Sequence, residues 1–193
     1  MFCRKKILWL LPLCIFLYAC PFESPMALDE KPMQLIDTSY VGYWYGIVKD
    51  GSDYFGIEAL DIRKQSDSTY NIIRYGKAIK GNMILPDTAY FTGFLSRVGE
   101  TLYMNIESSL VEIINKAKKK PEVKISKIYY LAAIGLRHDT LTVKTVTDNF
   151  AGMNPRFRSP ADLRQFILSQ IAANKNIFDD VYRLSYKKMQ RPF

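Results

Sequence analysis

The chain has 193 residues, with 27 lysines and arginines against 19 acidic residues, which gives a formal net charge of +8. Its single histidine, His138, excludes a multi-histidine metal site, and a Ser-His-Asp triad would have to use that residue. The sequence contains no P-loop, dinucleotide-binding fingerprint or G-x-S-x-G motif. We interpret the carboxylate pairs Asp179-Asp180 and Glu58 with Asp61 as surface charge. The sequence therefore predicts a protein that is not an enzyme, with no metal site and no cofactor.

The first 19 residues have the organisation of a signal peptide. Arg4, Lys5 and Lys6 precede an apolar run, residues 7–19, that ends in alanine. This run is shorter than the roughly 20 residues that a helix needs to cross the hydrocarbon core of a membrane. We therefore predict that residues 1–19 are removed from the mature protein.

The residues at the end of this segment resemble the lipobox of bacterial lipoproteins. Leu17 stands three residues before Cys20 and Ala19 directly before it, whereas Tyr18 departs from the small residue usual at its position. The resemblance implies a lipid on Cys20 and hence a membrane anchor; ordinary secretion and an uncleaved anchor are the alternatives. Pro21, in place of an aspartate, favours the outer membrane of a Gram-negative bacterium.

The mature chain has 174 residues (193 minus 19), which is long enough for one hydrophobic core. Cys3 and Cys14 lie in the removed segment, so Cys20 is the only cysteine left and no intramolecular disulfide can form. Residues 20–37 contain three prolines and no sustained period, which predicts a lipidated N-terminus and spacer. Residues 38–193 are predicted to form a single domain.

Short segments rich in aromatic and β-branched residues, separated by Gly, Asp and Asn, predict antiparallel strands between residues 40 and 146. The predicted strands are Tyr40–Lys49, Tyr54–Arg63, Thr69–Tyr75, Lys77–Ile84, Thr88–Arg97, Thr101–Glu107, Lys127–Arg137 and Leu141–Val146. Residues Arg137 to Thr140, which include His138, predict a turn. Leu110–Ile114 fits either a strand or a helical turn.

One helix follows. Ser159 is a predicted N-cap, Pro160 the first helical residue and Asp162 the acid of a capping box. Four apolar residues of the helix share one face: Leu163, Phe166, Ile167 and Ile171. The helix is expected to end near Asn174. A last strand is predicted at Val181–Lys187. The predicted fold is mainly β: an antiparallel barrel or strongly curved sheet with one C-terminal amphipathic helix and a closing strand.

Gly42-Tyr43-Trp44 resembles the G-x-W motif that opens the first strand of lipocalins and related calycin barrels. The resemblance implies a lipocalin-like barrel in which the tryptophan packs across the closed end, often beside an arginine from a late strand; Arg137 and Arg183 are the two candidates. The order of FTGFLSRVGETLYMNI, YYLAAIGLRHDTLTV and SPADLRQFI also resembles uncharacterised lipocalin-like lipoproteins of the Bacteroidetes. It implies a fold and a location but no activity.

Aromatic residues on the predicted strands could line a pocket for a small hydrophobic ligand inside such a barrel. The candidates are Tyr43, Trp44, Tyr45, Tyr90, Phe94 and Tyr130. The alternative is that these side chains fill a solid core. The preferred function is a non-catalytic binding or carrier protein on a membrane, and the alternative is an accessory subunit of a cell-envelope assembly.

A lysine cluster around Pro121 predicts a basic loop. Its residues are Lys116, Lys118, Lys119, Lys120 and Lys124. Such a loop could contact lipid phosphates, anionic glycans or an acidic envelope protein, and the alternative is a solvated turn that blocks edge aggregation. Nucleic acid is not an expected partner, because the chain lacks a recognisable reading helix.

Overall fold

The computed structural model describes residues 22–50, 54–80, 83–114, 122–147 and 157–190, which hold nine strands and one α-helix. The strands are β1 (Glu23–Ser24), β2 (Gly42–Asp50), β3 (Tyr54–Lys64), β4 (Tyr70–Lys80), β5 (Met83–Val98), β6 (Thr101–Ile114), β7 (Glu122–Arg137), β8 (Thr140–Val146) and β9 (Phe178–Met189). The helix, α1, is Pro160–Ala172, and residues 38–40 form a short 3-10 turn.

Strands β2 to β9 form a closed ring. Each pairs antiparallel with the next, and β9 pairs with both β8 and β2. The two-residue strand β1 lies outside the ring, paired with β7. The predicted fold class is therefore confirmed as an eight-stranded antiparallel barrel, with the helix before the closing strand, and it is compatible with a lipocalin-like fold.

The antiparallel order gives the barrel two different ends. The turn end carries the short connections at residues 65–69, 99–100 and 138–139. The predicted turn at His138 is confirmed, and this residue adopts a left-handed φ of 53°. At the opposite end, which we call the hairpin end, the β2–β3, β4–β5 and β6–β7 pairs extend past their other neighbours.

Several strands extend further than predicted, most clearly around the β4–β5 hairpin and at the end of β6. Lys77–Ile84 is not a separate strand, because β4 and β5 pair up to Lys80 and Met83 across one hairpin. The signal for that hairpin is Gly81-Asn82, a dipeptide typical of two-residue hairpin turns. Leu110–Ile114, which the sequence left open, is strand within β6.

Helix α1 lies on the outside of the barrel and begins where the sequence predicts. The Ser159 side chain accepts a hydrogen bond from the Asp162 backbone N–H at 3.2 Å, and Leu163 and Ile167 are buried. The Asp162 carboxylate accepts from the backbone N–H of Arg158 at 3.2 Å, one residue before the position a capping box uses.

Beneath the helix lies a set of buried apolar side chains that we call the outer cluster. It consists of Phe22, Leu28, Val98, Tyr103, Leu131, Ala133, Val146, Leu163, Ile167 and Ile177. Because Phe22 and Leu28 belong to it, part of the segment interpreted as a spacer packs against the barrel.

Hydrogen bonds hold this segment in place. The fully buried Asn105 side chain accepts from the Leu28 backbone N–H at 2.8 Å and donates to Ser96 Oγ at 2.8 Å. The Asp29 carboxylate accepts from Ser96 Oγ at 2.5 Å and from Arg164 Nη1 at 2.7 Å. The N-terminal segment, the barrel and α1 are thereby joined through polar contacts.

Candidate ligand-binding cavity

The barrel interior holds a partly open cavity of about 600 Å³. Alternate residues of each strand face it, as the two-residue period of a strand requires. Most of the lining is apolar, including Leu60, Ile72, Phe91, Met104, Ile134 and Leu184. Pockets that bind small molecules are typically of this size and this apolar, so the interior is the candidate functional site.

The turn end of the interior is packed with a second set of buried side chains, which we call the inner cluster. It consists of Tyr40, Trp44, Ile62, Tyr70, Ile72, Leu95, Met104, Leu141 and Tyr186. The cavity lies against this cluster, which supplies part of its lining. The inner cluster therefore forms its floor at the turn end.

Trp44 is fully buried in the inner cluster, and its indole N–H donates to the Tyr40 carbonyl at 2.9 Å. Lys188 makes a cation–π contact with the Trp44 ring, with its Nζ 5.1 Å from the ring centroid. Lys188 Nζ also donates to the Ser39 carbonyl at 3.2 Å. Lys188, from the last strand, thus lies where the resemblance implies an arginine. Of the two arginine candidates, Arg137 is exposed, and the side chain of Arg183 is outside the part that the structure describes.

A group of polar side chains lies on the largely apolar wall of the cavity, and we call it the Glu58–Arg74–Tyr186 network. The Tyr186 hydroxyl donates to Glu58 Oε1 at 2.5 Å, and Arg74 Nη1 donates to Glu58 Oε2 at 3.1 Å. Arg74 Nη2 also contacts Asp87 Oδ2 at 2.5 Å. Three strands, β3, β4 and β9, therefore bring a carboxylate, a guanidinium and a phenol together at the cavity.

Gly46 explains how Tyr186 reaches Glu58. In the sheet Gly46 pairs with Glu58 on one side and with Tyr186 on the other, so the tyrosine ring has to cross β2. A Cβ atom at Gly46 would lie 2.9 Å from the Tyr186 ring and 2.9 Å from the Ser185 carbonyl oxygen, closer than real Cβ contacts. Only glycine leaves room for the ring at this position.

The electrostatics of the network keep its hydrogen bonds in place. Burial, followed by the charge and hydrogen bond of Glu58, raises the pKa of Tyr186, so its hydroxyl remains a donor at neutral pH. Burial alone would lower the pKa of Arg74, but the carboxylates of Glu58 and Asp87 raise it above its ordinary value. Arg74 therefore stays charged.

A second polar contact lies at the hairpin end of the cavity. Glu23 from β1 accepts a hydrogen bond from the Tyr130 hydroxyl at 3.0 Å, and both residues line the cavity. Burial, followed by this contact with Glu23, raises the pKa of Tyr130. The N-terminal segment thus contributes directly to the candidate site.

The structure separates the six aromatic residues that the sequence grouped as a pocket. Tyr130 lines the cavity and Trp44 is buried in the inner cluster. The other four are outside the lining: Tyr43, Tyr45, Tyr90 and Phe94. They alternate with inward-facing neighbours, so they lie on the outer face of the wall. Phe94 packs edge to face on Tyr129, with ring centroids 6.5 Å apart.

Sequence reasoning missed the Glu58–Arg74–Tyr186 network and interpreted Glu58 as surface charge. The available signal was the alternation Glu58, Leu60, Ile62, which places the carboxylate on the same face as two core residues. No local pattern pointed to Tyr186, which is 128 residues away from Glu58.

Two predicted sites fall outside the described residues: the lipidation site Cys20, and Lys116, Lys118, Lys119 and Lys120 of the lysine cluster. Lys124 is described; it is exposed, and its Nζ lies 4.0 Å from Glu112 Oε2.

Comparison of the chain with known protein families, with curated proteins and with solved structures finds no match. In the described part of the chain, no cluster of three His, Cys, Asp or Glu side chains could hold a metal ion. Within the same ranges no helix has the length and apolarity needed to cross a membrane. The function has to be argued from the cavity itself.

Proposed function

We propose that this protein is a membrane-anchored bacterial lipoprotein whose barrel binds or carries a small hydrophobic ligand without catalysis. The observation that carries the proposal is the cavity of about 600 Å³ with its largely apolar lining. The lipobox resemblance at Cys20 supports the anchor, and Pro21 favours the outer membrane of a Gram-negative cell. The G-x-W motif and the order of segments support kinship with lipocalin-like lipoproteins of the Bacteroidetes.

The charges of the described lining indicate which polar end the ligand carries. Glu23 and Glu58 line the cavity with Arg74 as the only described cation, and Arg74 is already paired with Glu58 and Asp87. An anionic head group would lie near two carboxylates with no free positive charge to offset them. We therefore expect an amphipathic ligand with a neutral or cationic head rather than a fatty-acid carboxylate.

The direct test is native mass spectrometry of the lipidated protein purified from its own host. A non-covalent ligand of low mass should be retained, and its extraction should identify it. Three probes of equal chain length then test the head group by competition with a fluorescent apolar dye: a fatty amine, a fatty alcohol and a fatty acid. The acid should bind at least about tenfold more weakly than the other two.

A matched pair of substitutions ties binding to the cavity. Ala89 lines the cavity, whereas Ala59 lies on the outer face of the same barrel. Ala89→Trp should fill the cavity and weaken dye binding about tenfold or more, and Ala59→Trp should leave it unchanged. Equal binding by both variants, or no binding by the wild type, would contradict the proposal.

A further inference from the structure

Strands β6 and β7 extend beyond the barrel as a two-stranded ribbon at the hairpin end. Their pairing continues to Ile114 and Glu122, whereas the β5–β6 ladder ends at Glu107 and the β1–β7 ladder at Tyr129. We call residues 108–114 and 122–128 the ribbon. With about 3.3 Å per residue, its seven residues per strand reach about 23 Å past the barrel wall.

The outer face of the ribbon is apolar and exposed. Val111 pairs directly with Ile125 and Ile113 with Val123, so these four side chains are neighbours. Their exposed fractions are 59% for Val111, 53% for Ile113, 59% for Val123 and 67% for Ile125. The opposite face is mixed and includes Glu112 and Lys124. An isolated ribbon of this kind gains stability when its apolar face is covered.

The chain enters the domain at this same end of the barrel. Phe22 is buried in the outer cluster, and its backbone N–H donates to the carbonyl of Val146, the last residue of β8, at 2.9 Å. Cys20 precedes Phe22 by two residues, so covalent geometry keeps their Cα atoms within about 7 Å of each other. A lipid on Cys20 would therefore hold the hairpin end, and not the turn end, close to the bilayer.

We infer that the outer face of the ribbon is a membrane-contact surface that keeps the hairpin end of the barrel on the bilayer. The inference rests on the lipid anchor of the proposed function. Charge supports a bilayer as the occupant, because the ribbon strands are joined by residues 115–121, which carry four lysines and no acidic residue. Lysines near an anionic lipid surface are attracted to it. Since Glu23 and Tyr130 line the cavity at this end, ligand would enter from the membrane side.

Depth measurements on the lipidated protein test the inference. A lipidated Cys20 leaves no free thiol in the mature chain, so Ile113→Cys, Ile125→Cys and Asp139→Cys can each be labelled with one fluorophore. The proteins are reconstituted in vesicles of phosphatidylethanolamine and phosphatidylglycerol that contain brominated acyl chains. Labels at 113 and 125 should be quenched about threefold or more relative to vesicles without bromine, because apolar ribbon side chains enter the interface. The label at Asp139, at the turn end, should be unaffected.

Equal quenching at all three positions, or quenching only at Asp139, would overturn the inference. So would a stoichiometric protein that co-purifies with the wild type and is lost from the Ile113→Ser/Ile125→Ser double variant, since the ribbon would then be a protein interface. The double variant should lower quenching of a label at Val111→Cys about threefold. Leu110→Ser, on the opposite face of the ribbon, should not change it.

The ribbon and the proposed function can fail separately. Labelled fatty acid on Cys20 reports the anchor, and dye binding to the cavity reports the ligand site. If the ribbon labels are not quenched while the anchor and the dye binding persist, the inference is wrong and the proposed function stands. If the dye does not bind but the ribbon labels are quenched, the cavity proposal is wrong and the membrane contact stands.

Discussion

The barrel wall carries a buried apolar cluster on each of its faces, and the two clusters differ in how completely they fill the space around them. The outer cluster is covered by α1 and by residues 22–28, and its members are all buried. The inner cluster fills only the turn end and leaves a cavity of about 600 Å³ above it. The same strands supply both sides: Tyr103 and Leu131 face outwards, and Met104 and Ala132 face inwards. We conclude that the outer face stabilises the fold so that the inner face can remain open.

The largest expected change in stability comes from replacing an isoleucine in the outer cluster, compared with replacing one that borders the cavity. Ile167 is fully buried in the outer cluster, whereas Ile134 borders the cavity and is half-buried. Ile167→Ala should lower the free energy of unfolding by about 2–5 kcal/mol, because it opens a void in a packed core. Ile134→Ala only enlarges an existing cavity and should cost about 1 kcal/mol. Urea denaturation measures both, and a larger loss at Ile134 would reverse the assignment of roles.

The next effect compares two glutamates that each bind a tyrosine and a cation. Glu58 binds Tyr186 and Arg74 on the inner side. On the outer side, Glu107 binds Tyr129 at 3.1 Å and Lys127 at 2.7 Å. Glu58→Gln should lower the free energy of unfolding by about 1–3 kcal/mol, because Tyr186 is buried and Arg74 half-buried. Glu107→Gln should cost less than about 1 kcal/mol, because Lys127 is exposed and solvent screens its pairing with Glu107.

Ligand binding also distinguishes the Glu58→Gln variant from the Glu107→Gln variant. Glu58→Gln also removes a negative charge from the cavity wall, so the competition between fatty acid and fatty amine should shift towards the acid. Glu107→Gln, on the other face, should leave that competition unchanged. Identical shifts in both variants would mean that Glu58 does not face the bound head group.

The smallest effect compares two buried tyrosines, one for each cluster. The Tyr70 hydroxyl accepts from the Asp37 backbone N–H at 2.7 Å and donates to its carbonyl at 3.1 Å. The Tyr103 hydroxyl is buried and has no hydrogen-bond partner among the described residues. Tyr70→Phe should cost about 1 kcal/mol, whereas Tyr103→Phe should be neutral or slightly stabilising. Thermal unfolding measures the pair, and an equal loss would indicate a partner for Tyr103.

The sequence predicts the elements whose signals are local. Ser159, Pro160 and Asp162 lie within four residues and locate the start of α1. The G-x-W motif predicts that Trp44 is buried near the closed end, and the polar turn at His138 is found where the alternation of β7 and β8 stops. The helix start and the turn depend on backbone geometry that neighbouring residues determine, whereas the burial of Trp44 is what the resemblance to lipocalins implies.

Features that depend on distant contacts could not be predicted in this way. Residues 22–28 have the composition of a linker, but contacts with residues far along the chain hold them against the barrel. They include the β1–β7 pairing, the burial of Phe22 and the hydrogen bond from Leu28 to Asn105, 77 residues later. Four of the six aromatic residues proposed for the pocket lie outside the cavity lining, because composition does not define the phase of alternation. Tyr186 reaches Glu58 only because Gly46 lets its ring cross a strand.

The attachment of the N-terminal segment has a mechanical consequence. A pull on the N-terminal side of residue 22 first loads the Phe22–Val146 hydrogen bond and the β1–β7 ladder, which has only two residue pairs, and then the Leu28–Asn105 hydrogen bond. The eight-stranded ring bears load only after these contacts have opened. Since regions with few contacts open at lower free energy than a closed core, residues 22–28 should yield first. If Cys20 carries the proposed lipid anchor, the barrel would then move away from the bilayer by the length of this segment while the cavity keeps its shape.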